Sequence, residues 1–105
     1  MLEIVGSLSS MIERHVTFNV LPGMTQEFVN LFCEDYRPAM ASMPGFVKVD
    51  LLCEQQDPTK YQMVIRFEST EMAAAWRSSE AHQTLKPRIK ALYQDSTLQV
   101  YDVIA

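Results

Sequence analysis

Two periodicities succeed one another along this chain in an order that leaves few folds open. From Glu13 to Val20 the residues alternate, with His15, Thr17 and Asn19 on one side and Val16, Phe18 and Val20 on the other. That is a strand with one greasier face. Leu21-Pro22-Gly23 breaks it. Thr25 is placed to cap a helix with Gln26 and Glu27 in its first turn, where negative charge suits the helix dipole. Phe28, Phe32 and Tyr36 fall at helical spacing, with Val29 and Cys33 beside them, and give this helix an apolar face. Pro38 is expected to kink or end it, since proline lacks the N–H and clashes with the preceding turn.

Met43-Pro44-Gly45 forms a second turn, and a strand follows over Phe46 to Glu54. Val47, Val49, Leu51 and Cys53 share one side, opposite Phe46, Lys48, Asp50 and Leu52. A polar connector with Asp57-Pro58 leads into a third strand, Lys60 to Glu68, where Tyr61, Met63, Ile65 and Phe67 alternate with Gln62, Val64, Arg66 and Glu68. Ser69 or Thr70 caps a helix over Glu71 to Arg77, and Ser78-Ser79 interrupts it. The second helical piece carries Ala81, Leu85, Ile89 and Leu92 on one stripe, with a kink or break expected near Lys86, just before Pro87. Thr97 to Ile104 closes the chain as a strand rich in Val, Ile, Leu and Tyr.

The order is βαββαβ. Right-handed crossovers turn it into a ferredoxin-like α+β fold, a four-stranded antiparallel sheet with its helices on one face. The other face is left for water or a partner. Apolar residues on both sides of several strands favour a partner, most simply an identical chain related by a twofold axis. With 105 residues there is one domain, read as 13–105 behind an extension, 1–12, that is an added edge strand or a leader.

Composition removes several function classes. The net charge is −4 and no basic run occurs, which argues against nucleic acid. No apolar run is long enough to cross a bilayer, and the opening stretch lacks the cationic start of an export signal. Cys33 and Cys53 form no CxxC pair, so both are expected to be reduced, buried thiols of a cytoplasmic protein. The three glycines make no phosphate cradle, and two histidines without ligand-like spacing make no dedicated zinc site. No Ser lies in a GxSxG elbow.

The turns and the local wording resemble the antibiotic biosynthesis monooxygenase family of dimeric α+β barrels. The resemblance is carried by PGMTQEF at 22–28, PGFVKVDLL at 44–52, and YQMVIRFESTEMAAAWRSSEAH at 61–82. It implies a homodimer joined through the open sheet face, and a cofactor-free oxygenation of a quinol, polyphenol or polycyclic aromatic held between sheet and helices. Any oxygenase chemistry here is either cofactor-free or served by a cofactor that the sequence does not advertise, and no metal is expected. A related branch degrades haem with an Asn on the first strand, a Trp ending the third and a His on the second helix. Here Phe67 stands at the Trp position, Lys86 near the His position and Val16 near the Asn, with Asn19 close by. Those departures argue against haem degradation, because the iron loses its axial ligand. The same fold also suits a non-catalytic dimer that binds a small apolar ligand.

Within that expectation His82 is the acid–base candidate, because an imidazole exchanges protons near neutral pH. Its bland alternative is a helix-start histidine bonded to backbone or solvent. Asn19 is a second catalytic candidate if its side of the first strand faces the helices; if that side faces a partner, it is an interface group. Trp76, Phe67 and Met72 are candidates for an aromatic pocket wall, although such residues also make ordinary core. Tyr36 and Arg66 are candidate hydrogen-bond donors to a substrate oxygen.

Overall fold

A computed structural model of the chain describes residues 10–105; most of the expected 1–12 extension lies outside the described residues. Nine elements follow in order: β1 (Ile12–Val20), α1 (Thr25–Leu31), a π-helical segment (Phe32–Tyr36), α2 (Arg37–Ala41), β2 (Phe46–Cys53), β3 (Lys60–Phe67), α3 (Thr70–Ser78), α4 (Glu80–Lys90) and β4 (Tyr93–Asp102). The strands form one four-stranded sheet in the order β2-β3-β1-β4, and every neighbouring pair is antiparallel. This is the expected ferredoxin-like arrangement.

Parity sorts β1 cleanly. Ile12, Phe18 and Val20 are buried on the helix side with Met63, Ile65 and Phe67 of β3. Phe28, Phe32 and Met40 from the first helical run and Trp76 from α3 close over them, making one continuous core. Removing so large a set of apolar surfaces from water is the main force holding helices to sheet.

Of the kinks or breaks expected at proline, the breaks do not occur. The first helical run continues through Pro38 to Ala41, but only after one π turn. Widening the helix there accommodates both the missing N–H and the ring. Likewise α4 runs through Pro87 without interruption. Leu85 and Ile89, on either side of Pro87, are both buried, and that packing outweighs the lost backbone bond.

Two other boundaries move. Register shifts between Phe46 and Lys48, so Val47 is an extra residue in the ladder. The bulge swaps sides locally: Phe46 turns to the core, its ring centroid 5.9 Å from that of Phe67, while Val47 is exposed. Strand β4 begins at Tyr93 rather than Thr97, because the polar Asp95 and Ser96 pair with Asn19 and Phe18. Met24, not Thr25, stands at the start of α1, and it makes no side-chain cap. Both cysteines are free as expected, but exposed rather than buried: Cys33 falls on the outer side of the π segment, and Cys53 ends β2. No helix among the described residues is long and apolar enough to cross a membrane.

Candidate active site

Helices α3 and α4 meet at Ser79, whose extended backbone ends one and starts the other. Its hydroxyl serves both. Ser79 Oγ donates to the Trp76 carbonyl at 2.7 Å and accepts from the His82 N–H at 3.1 Å. The serine that interrupts the helix therefore also fixes the distance between the two residues of greatest chemical interest. The imidazole of His82 lies 5.0 Å from the Trp76 ring, at 81° to it. Tyr36, delivered by the π segment, meets Trp76 edge-on at 5.5 Å and 90° and lies 6.2 Å from His82. Three rings from three elements thus converge on the sheet.

They form part of the wall of a cavity of about 230 Å³. Val16, Phe18 and Ile65 form its floor on the sheet, and Ile89 of α4 adds another apolar wall. Tyr93 and Ser96 of β4 close one side. Arg14, Arg77 and Lys86 supply the charge, and among the described residues no carboxylate lines the space. Trp76 is only 2% exposed, so it is core and cavity wall at once.

The electrostatics suit proton transfer. Burial holds the His82 pKa below its ordinary value, and the charges of Lys86 and Arg14 push the same way, while the Arg77 backbone opposes them. The ring is therefore neutral at pH 7. Its Nδ1 is buried without a hydrogen-bond partner among the described residues, and the ring itself forms part of the cavity wall. Burial pushes the Tyr36 phenol up to about 12, against the pull of the Arg14 charge. Its hydroxyl stays protonated and can donate.

Of the residues singled out in the sequence, His82, Trp76 and Tyr36 come together here. Phe67 is fully buried against Phe46 and belongs to the core behind the cavity. Met72 packs over the backbone of Gly45. Asn19 and Arg66 lie on the opposite face of the sheet. There Arg66 donates to Glu13 at 2.9 Å and Asn19 donates to Asp95. The reason is parity: Asn19 shares its face with Glu13 and His15, and the buried Phe18 takes the helix side. Neither Asn19 nor Arg66 therefore lines the cavity beside His82.

Sequence reasoning missed the cations. Arg14 was the legible one, a charge between Ile12 and Val16 on the face otherwise given to the core. Lys86 sits one helical turn after His82, the spacing of neighbours on one helix face. Arg77 follows Trp76 directly and gave no periodic signal.

A ferredoxin-like α+β fold with an aromatic, cation-lined cavity between sheet and helices defines the class of protein. The family model for antibiotic biosynthesis monooxygenases matches residues 11–88, and the chain belongs to that family. Its fold is similar to that of SnoaB, a cofactor-independent oxygenase from Streptomyces nogalater. The TM-score is 0.83 at 18% identity, covering 92% of this chain and 96% of that one. A Nitrosomonas europaea protein named for the same family superposes with a TM-score of 0.84 at 18% identity, over 91% of this chain and 92% of its own. A conserved protein from Methanosarcina mazei gives 0.82 at 16% identity, over 92% and 96%. No curated protein matches the sequence.

Proposed function

We propose that the protein is a cofactor-free monooxygenase that oxidises a phenol or quinol in the cavity beside His82. The observation that carries this reading is the neutral imidazole of His82 on the wall of a pocket that it shares with Trp76 and Tyr36. His82 takes the phenolic proton. The phenolate, now electron-rich, transfers an electron to dioxygen, and the resulting pair combines to form a C–O bond at a ring carbon bearing hydrogen. His82 returns its proton to the peroxide. The ring C–H proton then leaves as the O–O bond breaks, giving a ring carbonyl and water. The substrate supplies all four electrons, one oxygen atom enters the ring and the other leaves as water, so the balance closes without a further reductant. Tyr36 is suited to donate to the substrate oxygen, and Trp76 to lie against the ring.

The protein acts as a homodimer joined through its open sheet faces. In support, Leu52 is 50% exposed and Tyr101 45% exposed on that face. A cytoplasmic location agrees with two free, exposed thiols, which a reducing compartment preserves.

The test is oxygen uptake across a panel of phenols and hydroquinones with isotopically labelled dioxygen. Label in both the product carbonyl and the released water supports the reading. Binding without oxygen uptake makes the protein a ligand-binding barrel instead.

A further inference from the structure

We propose that the substrate is a small aromatic acid, a single hydroxylated ring whose carboxylate is held by Arg14, Arg77 and Lys86. This rests on the oxygenase reading for the hydroxyl, and on the following observations for the acid.

The chain is acidic overall, with 13 carboxylates against nine Lys and Arg. Yet three of those nine cations line this one cavity, and among the described residues no Asp or Glu does. They come from three separate elements, β1, α3 and α4, so helical periodicity on one surface does not explain their meeting. Among the described residues, the Lys and Arg in ion pairs are Lys48, Arg66 and Arg88; the cavity cations are not among them. Arg14 is the telling member. It projects from the core side of β1, half-buried, where a charge is costly unless compensated. Burial lowers its pKa and the Arg77 charge lowers it further, as expected for like charges held near one another. An anion relieves that repulsion, and a carboxylate matches the planar fork of an arginine.

Size argues for one ring. An apolar cavity of about 150 Å³ accommodates a benzene, so 230 Å³ leaves space for hydroxyls and a carboxylate but falls below the roughly 300 Å³ at which sites for drug-sized ligands begin.

The experiment uses anaerobic quenching of Trp76, the only tryptophan of the chain, as the binding signal. The probes are hydroquinone, dihydroxybenzoate with the hydroquinone pattern, and its methyl ester. The acid is expected to bind at least about tenfold more tightly than the ester, the size of a hydrogen bond to a charged group. That preference is expected to shrink with added salt and to be lost in the double variant Arg77→Gln/Lys86→Gln. Both of those residues are exposed, so the fold is retained; Arg14→Gln is the third variant, checked by its melting temperature. An ester that binds as well as the acid, a preference that survives the double variant, or no quenching by any probe overturns the proposal. Oxygen uptake is read separately. Selective acid binding without uptake upholds the anion site and removes the oxygenase reading, whereas uptake without charge preference does the reverse.

Discussion

Ser79 Oγ bridges the Trp76 carbonyl and the His82 N–H, so one hydroxyl sets the spacing of the indole and imidazole rings. Ser79→Ala is expected to destabilise the protein by about 1 kcal/mol through loss of the α4 N-cap. It is also expected to lower turnover by loosening His82. Ser79→Asp, which can accept the His82 N–H bond but cannot donate to the Trp76 carbonyl, should restore part of the stability. Urea denaturation of the two variants checks this; equal loss in both would mean that capping is not what Ser79 contributes.

His82 makes the reaction and the stability depend on pH in the same direction. Its pKa is lowered in the folded protein, so the unfolded chain binds the proton more readily. The associated stability is fully present above the unfolded pKa of about 6.5 and is lost as pH falls through the lower folded value. The groups facing the ring are Arg14 on β1, Tyr36 on the π segment, Arg77 on α3, Lys86 on its own helix and Tyr93 on β4. Among the described residues no carboxylate stands with them to reverse the sign. The kcat/KM profile is expected to have the midpoint of its acid limb below pH 6.5, and His82→Gln to flatten the acid limb of both rate and stability. Glu13 and Asp57, with lowered carboxyl pKa values, lose their contributions only in a more acidic window.

Gly45 and Gly23 both have positive φ, 81° and 85°, but only Gly45 is crowded. A Cβ at Gly45 would fall 1.9 Å from Met72 Sδ, whereas one at Gly23 meets nothing within 4 Å. Gly23→Ala is therefore expected to cost about 1–2 kcal/mol from backbone conformation alone, and Gly45→Ala clearly more. Adding Met72→Ala to Gly45→Ala should recover part of the difference. Thermal unfolding of the three variants distinguishes these terms; equal costs at the two glycines would show that Met72 yields freely.

Asn19 lies behind the sheet from His82, and Asn19→Ala is expected to change oxygen uptake by no more than roughly a factor of two, the usual scale for substitutions away from a site. A loss comparable to that of His82→Gln would return Asn19 to the chemistry. Arg66→Ala, on the same face, is expected to weaken self-association, measured by sedimentation, through its broken pair with Glu13.

Much of the fold was legible because the signals were local. Pro22-Gly23 and Pro44-Gly45 supplied positive φ at the turns, Ser69 caps α3 through the Met72 N–H, and strict alternation on β1 and β3 sorted their faces. What was not legible depended on tertiary context. Whether Pro38 and Pro87 break their helices is decided by packing around Phe32, Tyr36, Leu85 and Ile89, not by proline itself. The Val47 bulge reverses a short stretch of parity with no residue to announce it. At the site, Trp76 and His82 stood out by type, while Arg77 gained meaning only once α3 lay beside β1 and α4.

The most direct measurement is the initial rate of oxygen consumption by wild type and His82→Gln with a hydroquinone-type substrate at neutral pH, after chelation of adventitious metal. Substrate-dependent uptake by the wild type, slowed at least about tenfold in the variant as for loss of an acid–base group, is the expected result. Equal rates in the two proteins, or no uptake above the buffer control, would contradict the assignment of His82 as the base of a cofactor-free oxygenase.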